Sequence, residues 1–328
     1  MLSEAELRQF NFSATARRPL SKCAVLIIGF RRPDLILQLA RIVSAANPSR
    51  IYVSIDGARP GVVGESARVA EVIEVVGQFA WSSPLLMRTA EANLGAGVHV
   101  KSAIDWFFEA EPHGIILEDD CHPNPSFFDY ANFMLDNPPA NVMSVAGFYP
   151  APVKVGDAAP AVRSRYPMTW GWATWASEWR KYKFQLGDWR RELSPAALFE
   201  IGRGEPWFVR YWSERFDNLS SGNRNIWDYQ WVFAVWANGG RGVFPRRNLI
   251  ENVGFGKEST HSFIRRRVYA TPSTDLRVDW RPGMEVELQD GRDLDSFLHL
   301  RFYHVGKAYP ATSLARKVGR TAINKFLR

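Results

Sequence analysis

The chain has 328 residues, 46% of them hydrophobic and 13% aromatic, enough for one large globular core. No apolar run approaches the roughly 20 residues of a membrane-spanning helix, and the first 20 residues carry no apolar signal-peptide core. Only two cysteines, Cys23 and Cys121, argue against a disulfide framework and fit a reducing, cytoplasmic setting. A formal charge of +7 points to an anionic partner. Nucleic acid is set aside, because no basic-aromatic module accompanies the charge.

In chain order, an N-terminal extension (1–20) is followed by a strand at 24–28. Phe30-Arg31-Arg32 then leads into a helix over 33–46, with Pro33 suited to its first turn. A strand at 51–55 stops at Asp56-Gly57. A helix over 65–79, a strand at 85–88 and a helix over about 97–109 come next. Then follow a strand at 115–117, a helix over 127–135 and a strand at 142–146. This β–α alternation predicts an α/β fold, a Rossmann-like, mostly parallel sheet with helices on both faces. In such sheets ligands sit beyond the carboxyl ends of the strands. Arg31, Asp56 and the triplet Glu118-Asp119-Asp120 all fall at such ends.

After Pro150 the alternation fades. Ten of the thirteen tryptophans lie between Trp170 and Trp236. Residues 151–300 read as an aromatic-rich elaboration packed on the sheet edge, in the same domain as the donor-side half, 21–150. Clustered rings suit a sugar platform, although a plain aromatic core accounts for most of them. The tail 301–328 is basic, with five Lys or Arg and no acid from 310 onward. As a helix, 310–328 would meet an anionic membrane surface, giving a peripheral protein, or would pack on the body.

Three adjacent carboxylates repel one another. The triplet at 118–120 is open to three readings: ligation of a hard divalent cation, capping of the next helix, or a solvated turn. Its neighbours favour the cation. Arg31 and Arg32 are placed for an anion, and Glu91-Ala-Asn93-Leu-Gly95-Ala-Gly97 supplies a flexible turn before a helix N-terminus.

Taken in order, these motifs resemble the GT-A glycosyltransferases, and specifically N-acetylglucosaminyltransferase I and its bacterial relatives. The strongest stretch runs from His99-Val-Lys-Ser through Ile-Ile-Leu-Glu118-Asp119-Asp120 to Pro125-Ser-Phe-Phe-Asp129-Tyr130. The resemblance implies Mn²⁺ (or Mg²⁺) at Asp120, ribose at Asp119 and donor sugar at Glu118. Arg31, Asp56 and His99 would hold the nucleotide, the last two at the uracil; for His99, a helix-start or core histidine is the plain alternative. Tyr166-Pro-Met-Thr-Trp170-Gly-Trp172-Ala-Thr-Trp175 resembles the acceptor-side segment. Trp227-Asp228 matches the element in which the aspartate is the catalytic base and the tryptophan touches the sugar; a helix N-cap is the plain alternative for Asp228. A closing loop near 252–262, with Lys257, Ser259, Thr260 and His261, would fold over a nucleotide-diphosphosugar donor, although its length departs from the family pattern. The expected activity is inverting hexosyl or N-acetylhexosaminyl transfer to a glycan or lipid-linked acceptor. A metal-dependent phosphohydrolase and a catalytically degenerate nucleotide- or glycan-binding protein are the rivals.

Overall fold

The computed structural model describes residues 23–150, 159–222, 226–254, 272–281 and 284–303. The N-terminal extension, most of the expected closing loop and the basic segment 310–328 lie outside the described residues.

The first half follows the predicted alternation: β1 (Ala24–Gly29), α1 (Pro33–Ala46), β2 (Ile51–Ile55), α2 (Glu65–Gln78), β3 (Leu85–Thr89), α3 (Ala96–Ala110), β4 (His113–Glu118), β5 (Cys121–Pro123), α4 (Pro125–Asp136) and β6 (Val142–Ala146). Local chemistry sets the boundaries. Pro33 opens α1, and Asn47 ends it in a left-handed conformation. The Asn124 side chain caps α4 by accepting from Ser126 N at 3.0 Å, one residue beyond Pro125. Ile36, Leu39, Ala40 and Val43 give α1 a buried stripe with helical period.

β3, β2, β1 and β4 lie side by side and parallel. β1 and β2 are buried along their whole length, as strands covered on both faces must be, whereas β3 at the edge is largely accessible. The β1–β2–β3 succession moves one way and β3–β4 crosses back, so right-handed connections place α1 and α2 on one face and α3 on the other. α1 packs on α2 and α4.

The second half contributes strands where the sequence showed no alternation. β7 (Ala161–Ser164), β8 (Trp172–Trp175) and β9 (Arg241–Pro245) join the same sheet, with β11 (Gln289–Asp290) beyond. β8 does not sit at the edge: it lies between β4 and β6, antiparallel to both. The aromatic half is therefore built into the middle of the sheet as well as onto its side. Its short α5 (Ala176–Trp179) packs against α3, while α6 (Pro195–Ile201), α7 (Pro206–Ser220), α8 (Asp228–Ala237) and α9 (Arg292–Phe297) form its helical layer. One continuous hydrophobic cluster spans both halves. Trp172, Trp189, Trp212 and Trp231 are fully buried, so the plain-core explanation holds for these tryptophans.

A second, two-stranded sheet pairs β5 with β10 (Ile250–Asn252), aligning Asn252 with Cys121. No described helix is long and apolar enough to cross a membrane.

Candidate functional site

The acidic triplet closes β4. Asp119 N continues the ladder by donating to Ile28 O at 3.0 Å, which sets the three side chains beside the end of β1. Arg32 leaves that end and braces two of them. Its Nε donates to Asp119 Oδ2 at 3.2 Å, Nη2 to Asp119 Oδ1, and Nη1 to Asp120 Oδ2 at 2.9 Å. One guanidinium is too little for three carboxylates. Burial, then Asp120 and Asp119, push the Glu118 carboxyl up to about 8; Arg32 opposes, and Asp228 adds to the rise. Asp119 is raised by burial to about 6 despite Arg32.

Arg31, expected beside the acids, turns the other way. Its Nη1 lies 3.1 Å from Glu65 Oε1 at the start of α2. The partner of the acids is Arg32. Adjacent residues at the end of a strand point to opposite sides, so the two arginines serve different parts of the rim.

Asp56 is buried at the end of β2 with four donors on its carboxylate. Oδ1 accepts from Gly57 N (2.9 Å) and Leu94 N (2.8 Å), and Oδ2 from Asn93 Nδ2 and Gly95 N (both 3.1 Å). That matches the full acceptor capacity of a carboxylate. Asp56 thus organises the 93–95 turn, and a base that hydrogen-bonded to it directly would have to displace one of these donors. Gly57 makes this possible: a Cβ there would fall 2.5 Å from the Ala92 backbone carbon.

His99, one turn into α3, sits over the same region. Its Nε2 is 3.0 Å from Ser54 Oγ, which accepts from Arg88 Nε at 3.0 Å. The hydroxyl therefore links the imidazole to the Arg88 guanidinium. Burial holds the His99 pKa down to about 4; Asp56 opposes this and Arg88 reinforces it. The ring is therefore neutral near pH 7.

Asp228 is the first residue of α8 and Trp227 its N-cap, so the aspartate is not the cap residue. The helix dipole favours a carboxylate there. The Asp228 charge is felt at Glu118 and at the phenols of Tyr182, Tyr229 and Tyr303, all of which burial already raises. Tyr182 fixes the turn by donating to Trp227 O at 3.2 Å. The Trp227 ring stacks on Trp172 (centroids 6.0 Å apart) and is only 7% exposed, leaving little of it to meet a sugar.

Asp228 and the triplet, far apart in sequence, thus share one site, with Arg32 between the acids and β1. Arg31, Asp56 and His99 occupy its β1–β2 side. The β5–β10 ribbon brings the chain back over Asp120: Val253 N donates to Asp120 O at 2.9 Å, and a Cβ on Gly254 would collide with the Asp120 carboxylate. Lys257, Ser259, Thr260 and His261 lie outside the described residues. Glu65 and Tyr182 are not among the candidates read from the sequence; Arg32, read there as an anion contact, braces the acids, and Asn93, read there as part of a flexible turn, donates to Asp56. An Asn-X-Gly turn before a helix and an acid at a helix start were the only local signals for two of them.

Among the described residues, no three His, Cys, Asp or Glu side chains could hold a metal ion by themselves. The surplus of negative charge and the partly exposed Asp120 carboxylate nevertheless fit a hard cation with one protein ligand, whose other ligands would be water and a ligand's phosphates.

No protein family matches the sequence, and no curated protein matches it. Solved structures share parts of its outline at low similarity. A galactosyltransferase, LgtC, in complex with donor and acceptor sugar analogues is 11% identical, covering 88% of this chain and 97% of its own, with a TM-score of 0.36. HddC from Yersinia pseudotuberculosis complexed with GMP-PN is 13% identical over 49% of this chain and 80% of its own, with a TM-score of 0.30. The glycosyltransferase GlyE of Streptococcus pneumoniae TIGR4 is 12% identical over 49% and 36%, with a TM-score of 0.26. The functional reading rests on the site itself.

Proposed function

We propose that the chain is a metal-dependent, inverting glycosyltransferase of GT-A type that uses a nucleotide diphosphosugar, a UDP-sugar by the motif resemblance. The observation that carries it is that the Asp228 carboxylate lies near enough to Glu118 for its charge to raise the Glu118 pKa. Transfer with inversion needs a base on one side of the sugar and a stabilised leaving group on the other, and the reading assigns Asp228 to the first role and Asp120 with its cation to the second.

Asp228 takes the proton of the acceptor hydroxyl as its oxygen attacks the anomeric carbon. The α8 N-terminus favours the charged carboxylate, and the largely covered Tyr182, Tyr229 and Tyr303 nearby limit water around it. Asp120 holds the cation, which supplies positive charge to the departing diphosphate. Glu118 faces the sugar and Asp119 the ribose. His99, neutral near pH 7, is assigned to the nucleotide base, and Asp56 shapes the turn beside it. The acceptor is the hydroxyl of a glycan or of a lipid-linked saccharide; with a lipid-linked acceptor, the 310–328 segment is the part proposed to meet an anionic surface.

A panel of nucleotide sugars, followed by donor hydrolysis and thermal shift with and without Mn²⁺, tests the reading. The expected result is stabilisation and slow hydrolysis with one nucleotide class, dependent on the metal. Absence of any response to nucleoside diphosphates with Mn²⁺ present would overturn it. A phosphohydrolase would instead release inorganic phosphate from the donor.

A further inference from the structure

The end of β1 delivers two consecutive arginines, and the second is already committed to the acids. The first meets an arginine from another loop on a shared carboxylate. Glu65, the first residue of α2, has no exposed side-chain surface. Its Oε2 accepts from Arg59 N (2.8 Å) and Arg59 Nε (2.9 Å), its Oε1 from Arg59 Nη2 (2.5 Å), and Arg31 Nη1 lies 3.1 Å from Oε1. The guanidiniums sit outside the acid, with Arg31 31% and Arg59 44% exposed. Both are 5.9 Å from the centre of the Phe30 ring, so the same ring fixes their spacing.

Two positive charges on one buried carboxylate leave a surplus of one facing solvent. On the other side of Arg32, three carboxylates share a single guanidinium and leave a negative surplus. The rim is therefore polarised from the β1–β2 loops to the end of β4. A ligand that is anionic and arrives with a cation complements both ends.

We propose that Arg31 and Arg59 form a two-arginine clamp for the phosphates of the donor, with Glu65 as the positioning residue that holds both guanidiniums in place. This deepens the nucleotide-sugar reading and rests on it. Guanidinium forks match phosphate oxygens in pairs, and arginines already immobilised by a buried acid lose less freedom when the anion arrives. A simple loop staple would need Arg59 alone. Arg31, from a different loop, is what the clamp adds.

The test is titration of the full chain, in Mn²⁺, with uridine, uridine diphosphate, guanosine and guanosine diphosphate. For whichever diphosphate the wild type binds, Arg59→Ala and Arg31→Ala are each expected to weaken it about tenfold or more, leaving the matching nucleoside within about twofold. Arg59→Lys recovers part of the loss, since it restores charge without the fork. Glu65→Gln weakens the diphosphate several-fold while circular dichroism stays native; if that variant does not fold, the exposed Arg59 variants still decide. Wild-type diphosphate affinity in both alanine variants would overturn the clamp while leaving the transferase reading intact. So would equal loss of nucleoside and diphosphate, the mark of a mere loop staple. A wild type that binds neither diphosphate refutes the underlying reading itself.

Discussion

Two glutamates at the same strand-end rim, Glu65 buried and Glu118 half-buried, have opposite fates. Glu65 accepts from the backbone N, Nε and Nη2 of Arg59 and lies beside Arg31, and its pKa falls to about 2, chiefly through the Arg59 hydrogen bonds. Glu118 has three other acids within reach and one guanidinium to share, and its pKa rises to about 8. The first is scaffolding whose charge is balanced within the protein. The second belongs to a group whose balance is completed from outside. Asp56, with four donors, sides with Glu65; Asp119 sides with Glu118. Local electrostatic conflict of this kind concentrates where ligands bind.

Removing an acid from each class separates the two roles. Asp228→Asn is expected to cut transfer by about 10²–10⁴-fold, the usual contribution of a general base, while donor binding and melting temperature stay near wild type. Steady-state kinetics beside a melting curve checks it; full activity would refute the base assignment. Asp56→Ala should do the reverse. Four donors lose their acceptor, costing about 3 kcal/mol of stability by the penalty for stranded buried groups, measurable by urea unfolding.

A pH series sharpens the contrast. Glu118 is protonated in the fold up to about pH 8, whereas an ordinary glutamate ionises near 4.5. Between those values the unfolded chain binds fewer protons, so this residue makes metal-free stability fall as pH rises. Glu118→Gln should remove that slope and add roughly 1–3 kcal/mol at pH 8, a few pKa units being worth that much after solvent screening. Glu65 runs the other way: its contribution is complete above about pH 4.5 and is lost as pH falls toward 2. His99, neutral in the fold, likewise favours folding less as pH falls from about 6.5 to 4. The smallest effect belongs to the exposed pair Arg210–Glu214 on α7, where Glu214→Gln should change stability by about 0.5 kcal/mol or less.

The parallel half of the fold was legible because buried strands and amphipathic helices alternate in plain view from Ala24 to Ala146. The strands of the aromatic half were not. Trp172–Trp175 is a central strand, but its partners on β4 and β6 are remote in sequence, and pairing across that distance leaves no local period. At the site, the strand-end position of Glu118–Asp120 was readable from the apolar run before it. Which of Arg31 and Arg32 faces the acids was not, since it depends on the final twist of β1. Nor could Asp56 be seen to be saturated, because three of its four donors come from residues 93–95, nearly forty positions on.

The β5–β10 ribbon makes the protein sensitive to counting. The chain that leaves the triplet at Cys121 comes back beside it at Asn252, in a register that sets Gly254 against Asp120. Adding or deleting one residue within 250–252 would turn the side chains that follow it to the other face and bring a different residue onto the acid. A change of length inside the ribbon is therefore expected to displace that glycine and disturb the acid it abuts.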